Sequence, residues 1–177
     1  TQIGVNVEFT ADSRDYVKDS TEATGTYRLV DADRGIVYEE LQLTGGQMEF
    51  SQSVPGKELQ VVFAGYQLEN DEDGLYILLN ESAKSEAEIR WIQPVLETSP
   101  TVNGTVTGGT ALRDVEVTGG RAVYKVAANA YQEAAGTWTW DTPGHTLSGE
   151  GEQEFTLTFV PEDEDGFRRI TGIKVKL

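Results

Sequence analysis

GTWTWDTPGHTLSGEGEQEFTLTFVPEDEDGFRRITGIKVKL, residues 136–177, is the stretch whose reading decides the fold class. Phe155, Leu157 and Phe159 point one way while Thr156 and Thr158 point the other. Ile173, Val175 and Leu177 then alternate with Lys174 and Lys176. Strict period-2 patterning of aromatic and branched residues, bounded by proline, glycine and acidic clusters, marks half-buried antiparallel strands.

Working outward, the same signature recurs toward the N-terminus. Ile3, Val5, Val7 and Phe9 alternate with Gly4, Asn6 and Glu8, and residues 26–32 carry Tyr27 and Leu29 on one face. Residues 36–44 read as a further strand, with a change of parity between Tyr38 and Leu41 that suggests a bulge at Glu39-Glu40. Gly45-Gly46 reads as a tight turn before Met48 and Phe50. Leu59, Val61 and Phe63 open the most hydrophobic strand of this half, which runs on through Tyr66. Residues 75–79 and 87–91 close it. Ser85 to Glu88 has the spacing of a capping box, but Ala87, Ile89 and Trp91 alternate cleanly, so strand is the better reading.

Residues 93–104 hold two prolines, several turn formers and no periodicity, which makes them the expected domain boundary. Beyond it, residues 111–118 and 122–126 read as short strands. Residues 127–135 (AANAYQEAA) are helix-friendly but too short to stand alone as a helix, and are expected to form a loop with at most one helical turn. The expectation is an all-β chain of two tandem immunoglobulin-like antiparallel β-sandwich domains, residues 1–95 and 96–177.

The totals narrow the function classes. The chain has 177 residues, 30 acidic against 14 basic, for a net charge of −16. Up to residue 97 there are 19 acidic and 7 basic residues, and the rest carries 11 and 7. That balance disfavours nucleic acid, whose phosphates demand basic patches, and docking on anionic lipid. No apolar run reaches the roughly 18–20 residues that cross a bilayer. Cysteine is absent, which removes thiol nucleophiles and leaves a cytosolic protein or a bacterial surface protein open. Thr1 leads almost directly into a strand without a leader-like segment, as in a processed or excised piece.

An internal echo joins the halves. Leu43-Thr-Gly-Gly46 matches Val117-Thr-Gly-Gly120, and Leu59-Gln-Val-Val-Phe63 matches Phe155-Thr-Leu-Thr-Phe159, each followed by an acidic loop ending Asp73-Gly74 or Asp165-Gly166. Strand-built periods above fifty residues indicate beads on a string. The second half resembles the immunoglobulin-like repeats found in tandem in large surface proteins of Gram-positive gut bacteria. The likeness rests on the Thr118-to-Gly120 turn, Gly136 to Trp140, Phe155 to Pro161, and Thr171-Gly172. The first half is similar to the related repeat named for a Tyr-Asp-Gly motif, through Gly65 to Leu68 and the Ala-Glu-Ile run leading to Ile92-Gln-Pro94. The motif itself departs from the pattern, since Tyr16 is followed by Val17, Lys18 and Asp19. The resemblance implies a spacer or adhesive repeat at an extracellular, bacterial cell-surface location. Its partners would be neighbouring repeats of the same polypeptide, and it supplies no catalytic residue and no cofactor.

Candidate ligand-binding residues are Trp138 and Trp140, which face one side of a strand. Exposed, they would stack on a sugar ring; buried, they would fill half of a core. Trp91 is expected to pack a strand end or the domain junction. The acidic loops 70–74 and 162–166 invite a calcium reading but lack EF-hand spacing, so no metal site is assigned. Lys18, Lys57 and Lys125 are the candidate donors for an intramolecular Lys–Asn cross-link. His145 is the single histidine, in a Pro-Gly-His-Thr turn, and no nucleophile-elbow context accompanies it. The expectation is therefore a non-catalytic spacer, with glycan or host-protein binding through an aromatic or junction surface as the alternative.

Overall fold

Thirteen β-strands and one short 3-10 turn make up the regular structure of the computed structural model, which describes residues 2–69, 71, 73–149 and 151–177. The chain divides into two compact units, Thr1–Arg90 and Trp91–Leu177. The division falls before residues 93–104, because part of that stretch is a strand of the second unit. Among the described residues no helix is long and apolar enough to cross a membrane.

The first unit contains β1 (Ile3–Ala11), β2 (Arg14–Asp15), β3 (Gly25–Asp31), β4 (Leu43–Phe50), β5 (Gly56–Leu68), β6 (Tyr76–Leu78) and β7 (Ser82–Arg90). They form a three-stranded sheet in the order β3-β1-β6 and a four-stranded sheet in the order β2-β7-β5-β4. Alternation decides which faces meet. Val5, Val7, Phe9 and Leu29 from the first sheet, and Val61, Phe63 and Ile89 from the second, are all buried. The rings of Phe9 and Phe63 meet at 5.5 Å between centroids. Two short pairings depart from the expected antiparallel scheme: β1 runs parallel to β6, and β2 parallel to β7.

The second unit contains β8 (Val95–Thr98), β9 (Arg121–Ala127), β10 (Ala130–Glu133), β11 (Gly136–Trp140), β12 (Glu154–Pro161) and β13 (Ile170–Lys176). Its sheets are ordered β10-β9-β8 and β11-β12-β13. Ala122 from one sheet and Trp140, Leu157, Phe159, Ile173 and Val175 from the other share a core with Leu112. Lys174 and Lys176 stay exposed, as the alternation requires.

Four local expectations are overturned. Gly45-Gly46 is not a turn but lies inside β4, which stays in register with β5 on both sides, Gly45 against Tyr66 and Gln47 against Ala64. Its φ values, 70° and 94°, sit near Gly65 at 81°, positions where a side chain would be strained. Residues 36–42 are not a strand: Val37 bridges Val30, and Tyr38 is drawn inward to Asp31. Residues 111–118 fold instead around a 3-10 turn, Leu112–Asp114, because burying Leu112 completely brings its N–H to the His145 carbonyl at 2.9 Å. Residues 127–135 form the β9–β10 hairpin, in which Asn129 takes the left-handed conformation (φ 60°) that asparagine tolerates.

Candidate functional site

The β11–β12 register sets Trp138 opposite Phe159 and Trp140 opposite Leu157. Since Phe159 and Leu157 face the core, so do both indoles. Trp140 is 6% exposed and donates its indole N–H to the Val115 carbonyl at 3.2 Å. Trp138 is half-buried, packed on the same core, with its ring 5.0 Å from that of Phe159. The pair does not form an exposed stacking platform, because a small unit needs these rings inside. Trp91 is 41% exposed, and the Arg168 guanidinium lies 5.1 Å from its ring centroid.

The acidic loops hold their own backbone. Asp71 accepts from the N–H groups of Leu75 and Tyr76, both at 3.2 Å; Asn70 and Glu72 of that loop lie outside the described residues. In the other loop Asp163 accepts from the N–H of Asp165, and Glu164 pairs with Arg169 at 2.6 Å. Among the described residues no group of three or more acidic or histidine side chains is arranged to hold a metal ion. Lys18, Lys57 and Lys125 are all exposed, so none meets the buried environment a Lys–Asn cross-link requires. His145 is exposed too, with its ring 5.1 Å from Phe155.

Asp31 is the one charged side chain buried among the described residues. Its Oδ1 accepts from the N–H groups of Asp33 and Arg34 at 2.9 and 3.0 Å. Its Oδ2 accepts from the Tyr38 hydroxyl at 2.7 Å and from Arg34 Nε and Nη2 at 3.0 and 2.9 Å. The Tyr38 hydrogen bond, with the turn amides and Arg34 beside it, holds the carboxyl far below the usual carboxylate range, against the opposing effect of burial. The same pairing pushes the Tyr38 hydroxyl and the Arg34 guanidinium upward. A carboxylate saturated in this way has no lone pair poised for proton transfer; it pins the 31–38 turn.

The densest polar constellation lies elsewhere, where the two ends of the first unit meet. β2 runs parallel to the end of β7, Arg14 beside Ile89 and Asp15 beside Arg90. Tyr16 N–H donates to the Arg90 carbonyl at 2.9 Å, and Arg90 Nε reaches Asp15 Oδ1 at 2.8 Å. Two serines lace the same seam: Ala11 N–H donates to Ser85 Oγ at 3.0 Å, and Glu88 N–H to Ser13 Oγ at 2.9 Å. Nothing in the alternation pattern marked this seam, since hydroxyl-to-backbone bonds 74 and 75 residues apart leave no local trace.

No protein-family model matches the chain, and no curated protein matches it.

Proposed function

We propose that the chain is a non-catalytic, load-bearing spacer: two tandem immunoglobulin-like modules of a secreted or cell-surface bacterial protein, neighboured by further repeats. The observation that supports this is the parallel seam between the first and last strands of the first unit. Tension applied at the two ends of that unit would slide β2 and β7 past each other in opposite directions. Their cross-bonds are then loaded together rather than broken one after another. The indole pair turned toward the core favours the spacer over the glycan- or host-protein-binding alternative.

The absence of cysteine in the sequence makes engineered thiols unique handles for pulling experiments. With handles at Gln2→Cys and Trp91→Cys the seam is sheared. With handles at Gln2→Cys and Asp33→Cys the β1–β3 pair is unzipped from its end, where Val5 faces Asp31. The expected result is a clearly higher rupture force in the first geometry, lowered by the double change Ser13→Ala and Ser85→Ala, which leaves the second unaltered. Equal forces in the two geometries would remove the support for a load-bearing role.

A further inference from the structure

A groove of about 680 Å³ opens on the first unit between residues 19–23 and the middle of β4. Its floor is apolar and aromatic. Phe63 and Tyr27 lie stacked with centroids 5.7 Å apart, and Met48 lines the same space. The floor is reachable because Gly46 has no side chain: a Cβ there would stand 2.7 Å from Phe63 Cε1. The rim carries one sign of charge. Asp19, Glu22 and Glu49 line the groove, and no lysine or arginine does.

Two of these acids are cross-strand partners. Glu22 bridges Glu49 in antiparallel register, flanked by Ala23 N–H to Met48 C=O at 3.0 Å and Phe50 N–H to Thr21 C=O at 2.7 Å. Like charges placed directly opposite each other are destabilising. The nearest cation, Arg14, attracts Glu22 at a distance, but its own hydrogen bonds go to the carbonyls of Glu22, Asp15 and Ser20, and its guanidinium lies over Phe50. Among the described residues neither glutamate has an ion-pair partner.

We propose that this groove binds an arginine side chain presented by an extended peptide segment of another protein. The rim carboxylates match the guanidinium charge and can accept its forked N–H donors, and the Tyr27–Phe63 floor offers an aromatic face to the same planar cation. A second copy of this chain is the poorer occupant, since each carries a net charge of −16 and like-charged molecules repel. The proposal does not rest on the load-bearing role.

The test uses the full chain and a short labelled peptide with one arginine in a glycine–serine background, compared with the same peptide carrying norleucine. Amide chemical shifts on titration should move at residues 19–23 and 45–49 with the arginine peptide and stay still with norleucine. The double variant Glu22→Gln, Glu49→Gln should weaken binding about tenfold. The equally neutralised variant Glu116→Gln, Glu152→Gln, in the other unit, should change it less than about twofold. Three outcomes would overturn the proposal: shifts scattered over the acidic surface, equal weakening by both double variants, or equal binding of the norleucine peptide.

Discussion

The Tyr38 hydroxyl donates to Asp31 Oδ2 at 2.7 Å, across a seven-residue loop whose two ends it ties together. The Tyr38 ring also packs edge-on against Tyr76 at 5.3 Å, so this one side chain joins a buried carboxylate to the strand on the far side of β1.

That link makes the first unit acid-sensitive in a defined direction. The Asp31 carboxyl is depressed in the folded state from its ordinary 3.8. Its stabilisation is therefore present in full above that value, and declines as pH falls below it toward the folded-state value. Tyr38→Phe keeps the ring packing and removes the leading cause of the depression. The variant is expected to unfold at lower urea concentration than the parent at pH 7, and the gap should narrow steadily between pH 4 and pH 2. Urea titrations across that range check this; a gap that stays constant with pH would show that Asp31 is not the group involved.

The three indoles should separate cleanly in acrylamide quenching. Trp91 is 41% exposed and Trp140 is 6% exposed, so a variant retaining only Trp91 should quench readily and one retaining only Trp140 should be shielded, with Trp138 between. Trp140→Ala removes a core ring and the indole bond to Val115. Its expected cost is roughly 3–5 kcal/mol, the usual range for truncating a buried aromatic. Retention of parental stability by that variant would contradict the packing described.

Burial in β12 and β13 was legible because Leu157, Phe159, Ile173 and Val175 obey a period that only a half-buried strand satisfies. Alternation says nothing of partners, and so the parallel pairings of β1 with β6 and β2 with β7 could not be read. Gly45-Gly46 misled for a definite reason: a turn and a kinked strand interior both need glycine at positive φ, and only the β5 pairing separates them. Residues 111–118 misled in the opposite sense, since Val115 and Val117 alternate but Leu112 controls the segment by filling the core. The groove rim was invisible for a third reason. Glu22 and Glu49 are unremarkable among 30 acids until strand pairing sets them face to face.

That opposition predicts a stabilising substitution. Glu49→Gln removes the repulsion across the bridge and keeps the shape of the side chain. It should raise the stability of the first unit by roughly 0.2–1 kcal/mol, the range for cross-strand pairs. In a domain of this size that corresponds to a rise in Tm of about 1–8 °C. The rise should shrink in high salt, where exposed charges are screened. A lower Tm would mean that Glu49 makes a favourable contact and the rim charges are not in conflict.

The last prediction concerns a packing device that both units share. Gly25 lies opposite Ala11, and Gly136 lies opposite Pro161. In each case the phenylalanine two residues earlier on the facing strand folds its ring over the glycine. A Cβ on Gly25 would stand 2.6 Å from Phe9 Cε1 and against the Thr10 carbonyl; on Gly136 it would stand 2.6 Å from Phe159 Cζ and against the Val160 carbonyl. Two residues after each glycine comes an aromatic, Tyr27 or Trp138, opposite that same phenylalanine. The glycine strand follows its partner along the chain in the first unit and precedes it in the second, so the likeness is one of packing and not of sequence order. Neither glycine has positive φ, so the cost of a methyl there is steric crowding alone. Gly25→Ala should destabilise by about 1–3 kcal/mol, as overpacking does. Combined with Phe9→Leu, which vacates the ring's edge, the two changes should cost at least about 0.5 kcal/mol less than their sum. Chemical denaturation of the four proteins in that cycle measures the coupling. Strict additivity would show that the backbone carbonyl, and not the ring, excludes a side chain at Gly25.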